Sequence, residues 1–251
     1  AFAGVAGDEI ADPRPWCEII RQWSTFHPEF SSLPRKFKIA VTAATHDRAA
    51  VRVHDIGLHM KRNAEGRVGF EFIVGGGLGR TPYVGHTIRE WIAKEDLLSY
   101  LEANMRVYNR YGRRDNKYKA RIKILVNELG VAEYTREVEQ EFAAQRAWEK
   151  VVLPQEEVDR ISAYFAPPKF EKLAAKSAAL DKAIAADRAF ARWVKNNLRP
   201  HRVAGYTSVH IALKPQGVAP GDCSSAQMRA AADIAETYAL VKLVEGTTAP
   251  E

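Results

Sequence analysis

Residues 51–79 read VRVHDIGLHMKRNAEGRVGFEFIVGGGLG, and the way this stretch pairs with itself decides the fold. Asn63-Ala64-Glu65-Gly66 is a turn signal between two runs rich in β-branched and aromatic residues. Polar residues are mixed into both runs, so the pattern predicts two antiparallel strands with one face buried. Just upstream, KFKIAVT sets Phe37, Ile39 and Val41 on one side of a further strand and Lys36, Lys38 and Ala40 on the other.

Helical spacing surrounds these strands. Trp16, Ile19, Ile20 and Trp23 predict a helix from Arg14 or Pro15 to about Phe26. Thr87 is placed to cap a helix through IREWIA, and Asp96 sits in the first turn of DLLSYLEANMRVYNRYG, with Gly112 as its stop. VAEYTREVEQEFAAQRAWEKV and PQEEVDRISAYFAPP predict two more helices. Residues 168–190 are rich in alanine and lysine and read as a poorly packed helix or a connector. Tyr206, Ser208, His210 and Ala212 then alternate with Thr207, Val209, Ile211 and Leu213 as a strand, and Ser224 or Ser225 caps a last helix, AQMRAAADIAETYALV. The expected class is α+β, with a mixed or antiparallel sheet over 1–166, a connector over 167–190 and a second, partial domain over 191–251.

The chain has 251 residues and a formal net charge of +6, a balance that suits nucleic acid, membrane surfaces or small anions without choosing among them. Its apolar runs fall short of the roughly 18 residues that cross a bilayer. Its first residues carry no basic segment followed by an apolar one, so a cytoplasmic location is expected. Cys17 and Cys223 lie too far apart in sequence for metal-ligand spacing and read as free thiols. The seven histidines show no HExxH pattern, and His54 and His59 read as structural.

Three basic or glycine-rich stretches remain. In LPRKFK, Arg35, Lys36 and Lys38 either decorate an edge strand or aim Arg35 at a carboxylate or oxyanion. In VGGGLGRTP, Gly75, Gly76, Gly77 and Gly79 let the backbone approach a ligand and leave N–H groups free for an anion, with Arg80 directly after them. The alternative is a flexible hairpin exit. RRDNKYKARIKILV holds Arg113, Arg114, Lys117, Lys119, Arg121 and Lys123. Arg121 and Lys123 share a side only on an extended backbone; in a regular helix they point about 200° apart. The basic residues are local rather than spread along a surface, which argues against nucleic acid as partner.

LPRKFKIAVT, FIVGGGLGRTP and YGRRDNKYKARIKILVNELG together resemble the sirohaem-dependent nitrite and sulfite reductase family, and NLRPHRVAGYTSVHIALKPQGVAPGD resembles the start of its second ferredoxin-like segment. The resemblance covers about residues 2–238 in the family's order. It implies a sirohaem coupled to a [4Fe–4S] cluster, an electron donor that is a flavoprotein or a ferredoxin, and sulfite or nitrite as substrate. By the same resemblance Arg35, Arg121 and Lys123 contact the substrate anion. Lys36, Lys38, Gly75, Gly76, Gly77, Arg80, Arg113 and Arg114 lie by the cofactor. Lys123 leans the chain towards sulfite, since nitrite-specialised members often carry Asn there.

The family's four cluster cysteines, a Cys-x5-Cys and a Cys-x3-Cys, have no counterpart in this chain. The chain is therefore expected to be an internal portion of a longer reductase, inactive alone. The alternatives are a nitrite reductase portion and a non-catalytic fragment that binds a tetrapyrrole or a partner.

Overall fold

The computed structural model describes residues 2–148, 152–214, 217 and 219–238. The chain divides into two compact units, 1–166 and 167–251.

The first unit is built on a four-stranded mixed sheet in the order β1 (Ile39–Thr42), β2 (Ile56–Arg62), β3 (Val68–Val74), β4 (His86–Ala93). β1 runs parallel to β2, and the other neighbours are antiparallel. The expected hairpin is present: Leu58 faces Phe72 and Met60 faces Phe70 across the β2–β3 ladder. Asn63 closes the turn, its side chain accepting from Arg67 N–H at 2.8 Å.

One sheet face carries Ile56, Leu58, Met60, Phe70, Phe72 and Val74, all almost fully buried. They meet helix α1 (Arg14–Ser24), α2 (Leu97–Tyr111) and α4 (Val131–Trp148) in a single apolar core. Ring contacts knit the layers: Trp16 meets Phe70 edge-on at 5.2 Å, Phe72 meets Tyr100 at 4.8 Å, and Tyr100 meets Phe142 at 5.1 Å. Each such pair contributes about 0.5–1.5 kcal/mol beyond its buried area. Between α2 and α4 lies the short helix α3 (Ile122–Leu129), and α5 (Gln155–Ala163) packs on α1.

The expected helix through IREWIA is instead strand β4. Ile88 and Ile92 are its two buried residues, and a spacing of four satisfies both a helix and a strand, being one turn of the first and two pleats of the second. Pairing with β3, with register shifts on either side of Phe72, settles the choice.

In the second unit, α6 (Ala178–Ala186) and α7 (Arg188–Asn197) occupy much of the stretch read as a connector. Each has a side-chain cap: Ser177 Oγ accepts from Leu180 N–H, and Asp187 Oδ1 accepts from Ala189 and Phe190 N–H. The expected strand near 206–213 is shortened to β6 (Thr207–Val209), paired with β5 (Leu198–Pro200). Ser224 caps α8 (Ser225–Tyr238) by accepting from Gln227 N–H at 3.2 Å. Among the described residues, every buried apolar side chain of the chain belongs to the first unit.

Candidate functional site

Segments far apart in sequence meet at Asp55, a residue between a 3-10 turn (Val51–Val53) and β2. Asp55 is fully buried. Its Oδ1 accepts from Arg121 Nε at 2.8 Å, while Oδ2 accepts from Arg121 Nη2 and from the Lys38 backbone N–H at 2.9 Å. Its carbonyl accepts from Gly75 N–H at 3.0 Å, and the N–H of the next residue, Ile56, donates to the Lys38 carbonyl at 3.1 Å. The Asp55 carboxylate thus ties the segment entering β1 to the N-terminus of α3, and its main-chain carbonyl holds the glycine turn after β3. Tyr108 of α2 makes a second clamp: its hydroxyl lies 2.7 Å from the Ala120 carbonyl and 3.0 Å from that of Arg35. Burial pushes the Tyr108 phenol up to about 12, so it keeps its proton to donate at neutral pH.

Arg121 and Lys123 are not mid-helix on opposite sides. Arg121 is the residue before α3 and has an extended backbone, φ −76° and ψ 152°. Lys123 lies in the first helical turn with its side chain buried. The structure brings the pair together, but each faces its own oxygens: Arg121 takes the Asp55 carboxylate, and Lys123 Nζ donates to the carbonyls of Leu78 at 2.8 Å and Thr81 at 2.5 Å. Burial and then the Arg121 charge pull the Lys123 ammonium below the ordinary lysine range, with Asp55 opposing them.

Gly75, Gly76 and Gly77 are buried. Gly75 has φ +88°, a region that favours glycine. A Cβ on Gly76 would lie 2.4 Å from the Arg52 carbonyl oxygen, and one on Gly77 would lie 2.8 Å from Lys123 Cδ. These glycines therefore let the chain approach itself. The N–H groups expected to be free are partly engaged: that of Gly75 by Asp55 and that of Gly77 by the Tyr83 carbonyl.

The cations separate into two groups. Arg113 is paired with Asp115 at 2.7 Å and lies 3.6 Å from Glu128, and Arg114 donates to the Asn109 carbonyl and side chain. Among the described residues, the side chains of Arg35, Lys36, Lys38 and Arg80 have neither ion-pair nor hydrogen-bond partners. Arg35 is half-buried and the other three are exposed.

Asp55 and Tyr108 escaped the sequence reading. The one signal available was an acidic residue, Asp55, immediately before an apolar strand in a stretch read as continuous strand.

A polycarboxylate such as sirohaem needs unpaired cations around a close backbone approach, and the four partnerless cations flanking the glycine turn and β1 fit that demand. A [4Fe–4S] cluster needs several thiolates in one place. Cys17 and Cys223 fall in separate units, and no group of three or more His, Cys, Asp or Glu among the described residues is placed to hold a metal. The residues of this chain do not fit the cluster.

A family model described as "Nitrite and sulphite reductase 4Fe-4S domain" matches residues 1–146. "Sulfite reductase [ferredoxin] 1" of Mycolicibacterium paratuberculosis is 32% identical over 145 residues, 58% of this chain and 26% of that protein. "Ferredoxin--nitrite reductase, chloroplastic" of Arabidopsis thaliana is 33% identical over 144 residues, 55% of this chain and 24% of that protein. Among solved structures, that of the Mycobacterium tuberculosis NirA protein aligns with a TM-score of 0.51 at 29% identity, covering 57% of this chain and 26% of the other. The matched part thus spans about a quarter of each relative.

Proposed function

Because the chain belongs to the nitrite and sulphite reductase 4Fe-4S domain family, we propose that residues 1–166 form the cationic wall of a sirohaem and oxyanion site in a sulfite reductase. The observation that carries this reading is the sorting of cations. Arg35, Lys36 and Lys38, in the segment leading into β1, and Arg80, directly after the glycine turn, are left unmatched, although carboxylates elsewhere in the unit pair readily with arginine. Several like charges held together repel unless an anion answers them. Each charge-assisted hydrogen bond to such an anion contributes roughly 1.5–3 kcal/mol.

In this reading Arg35, Arg121 and Lys123 face the substrate anion. Lys36, Lys38 and Arg80 face the cofactor's carboxylates, alongside Gly75, Gly76 and Gly77. Arg113 and Arg114 contribute least: their partners are Asp115 and Asn109, whereas the partners of Arg121 and Lys123, Asp55 and the Leu78 and Thr81 carbonyls, tie those two to the glycine turn. Sirohaem, when bound, supplies the iron centre at which the six-electron reduction of sulfite to sulfide takes place. The chain's own residues bind and orient the anion, and Lys123, with its weakened hold on its proton, is the group suited to deliver one. Cluster thiolates would come from sequence outside this chain, so the chain alone is proposed to be inactive. The electron donor is proposed to be a ferredoxin, as the names of the relatives suggest for those proteins. A cytoplasmic location belongs to the same proposal; no helix among the described residues is long and apolar enough to cross a membrane.

Nitrite as substrate is the second reading, favoured by a nitrite reductase relative as similar as the sulfite reductase one. Titrating the chain with sirohaem tests the site: a saturable shift of the absorption bands is expected, weakened in Arg35→Ala and Arg80→Ala. No saturable shift, even with a cysteine-bearing C-terminal half supplied, would sink the reading. Comparing turnover of sulfite and nitrite by the full-length parent separates the two substrates.

A further inference from the structure

Arg121 and Lys123 present a physical problem. Two cations two residues apart sit at the head of one helix, where the peptide dipoles already place positive charge. Lys123 is buried and Arg121 largely so. The Leu78 and Thr81 carbonyls answer the Lys123 ammonium in part, but holding both charges there is costly unless a negative charge stands beside them. Asp55 is that charge. It is the fully buried carboxylate on Arg121: the guanidinium edge engages both its oxygens, and the N–H of Lys38, the residue before β1, engages one of them as well.

The geometry of the pair adds orientation. Asp55 takes Nε and Nη2 of Arg121, which fixes the plane of the guanidinium and leaves the Nη1 end as the part not held by the carboxylate. The same residue's carbonyl holds Gly75 N–H, so the glycine turn is placed relative to Arg121 by a single residue. The turn's other end is held by Lys123 through the Leu78 and Thr81 carbonyls. Arg121, Lys123 and the turn therefore form one connected unit whose only acid is Asp55.

We propose that Asp55 is the positioning residue of this site: it orients Arg121, seats the glycine turn, and supplies the counter-charge that lets Arg121 and Lys123 stand together as cations before an anion arrives. The proposal rests on the oxyanion reading for its consequence but not for its geometry. The charged and titratable groups bearing on Lys123 are Arg121 and Asp55, and those bearing on Asp55 and Arg121 include Tyr108, with Arg114 beyond it. The 3-10 turn packed on the glycines presents the Arg52 and His54 carbonyls there. The Arg52 side chain is directed to Glu71 and His54 Nδ1 to the Ala50 carbonyl.

The test uses the full chain with Asp55→Asn, which keeps the shape and removes the charge, and Asp55→Asn/Arg121→Gln, which replaces the ion pair by a neutral one. The Lys123 ammonium is followed by NMR of 13C-methylated lysines against pH, with Lys123→Arg assigning the signal. Sulfite binding is followed by calorimetry. In Asp55→Asn the Lys123 midpoint should move down by about one pH unit, because Arg121 is no longer answered. In the double variant it should return to within a few tenths of the wild-type value. Sulfite affinity should weaken about ten-fold or more in Asp55→Asn, since each charge-assisted contact it misplaces is worth at least that much.

An unchanged Lys123 midpoint in folded Asp55→Asn overturns the proposal. If Asp55→Asn does not fold, recovery of the fold in the double variant supports it, and failure of both overturns it. A wild-type chain that binds no sulfite while the Lys123 midpoint still shifts would end the oxyanion reading and leave the role of Asp55 standing. Sulfite binding equal in wild type and folded Asp55→Asn, with an unmoved midpoint, would do the opposite.

Discussion

Two places in the first unit hold a buried carboxylate among cations, and they are built differently. Glu71, on β3, is met by Lys61 Nζ at 2.6 Å and the Thr87 hydroxyl at 2.6 Å, with Arg52 at 3.7 Å and His59 at 3.6 Å. Apart from Arg52, these partners come from the two neighbouring strands and stand on the same sheet face: His59 is directly across the ladder from Glu71, Lys61 and Thr87 diagonal to it. Asp55 takes its partners from positions 17 and 66 residues away, and from the backbone as much as from side chains. Pleat and register suffice to assemble the first cluster. The second exists only once the whole unit has closed. A cluster of the first kind stabilises a sheet; one of the second kind fixes how separate segments meet, which is where a binding site is made.

The largest expected effect breaks the second cluster. Asp55→Ala leaves Arg121 largely buried with no counter-ion, and removing one partner of such a pair typically costs about 3–5 kcal/mol. Since Arg121 keeps 23% of its side chain exposed, the lower end applies. Urea unfolding followed by circular dichroism should show the loss as a lower midpoint. A midpoint unchanged within error would mean that Asp55 does not organise the segments. Gly76→Ala attacks the same junction from its backbone side. The new Cβ would fall 2.4 Å from a carbonyl oxygen of Arg52, and the backbone must shift, at a cost of about 1–3 kcal/mol. Gly77→Ala meets a Lys123 methylene at 2.8 Å instead, a longer contact and one with a side chain rather than backbone, and should cost less. Equal effects from the two glycines would contradict the packing described.

Glu71 offers a milder contrast with a definite pH signature. Burial disfavours its ionised form, but hydrogen bonds from Lys61 and Thr87 and the nearby Lys61 and Arg52 charges outweigh it and hold its carboxyl below the ordinary glutamate range. A carboxyl whose folded value is depressed contributes stability above its unfolded value and loses it as pH falls through the folded one. Glu71→Gln should therefore cost about 1 kcal/mol at neutral pH and nearly nothing at pH values below the folded carboxyl's titration. Unfolding midpoints of wild type and variant should converge on acidification. Parallel curves would show that Glu71 works by shape rather than charge.

The same contrast explains what was legible in the sequence. The β2–β3 hairpin, the strand at Ile39–Thr42 and helices α1, α2 and α4 follow from local period and turn chemistry, which need no knowledge of distant partners. β4 did not, because the spacing of Ile88 and Ile92 fits two periods and only the neighbouring strand decides between them. The basic stretches were visible as stretches. Which cations are already answered was not, because Asp115 sits two residues from Arg113 while the partner of Arg121 is 66 residues away. Asp55 carries only its place before an apolar strand as a local sign and Tyr108 carries none; their importance is a property of closure.

That difference within RRDNKYKARIKILV gives the smallest prediction. Arg113 is bound to Asp115, which is mostly exposed, and both ends of the pair reach water. Exposed pairs of this kind gain little, since solvent screens the attraction and ordering two side chains opposes it. Arg113→Ala should leave the unfolding midpoint where it is, and sirohaem binding should change little, because this guanidinium already has its carboxylate. Arg121→Ala, eight residues on, should lower the midpoint clearly by stranding Asp55 in the interior. The two variants remove the same charge from the same run. If both shift the midpoint equally, the run is not divided at Ala120, and the sorting of cations on which the site rests would have to be redrawn.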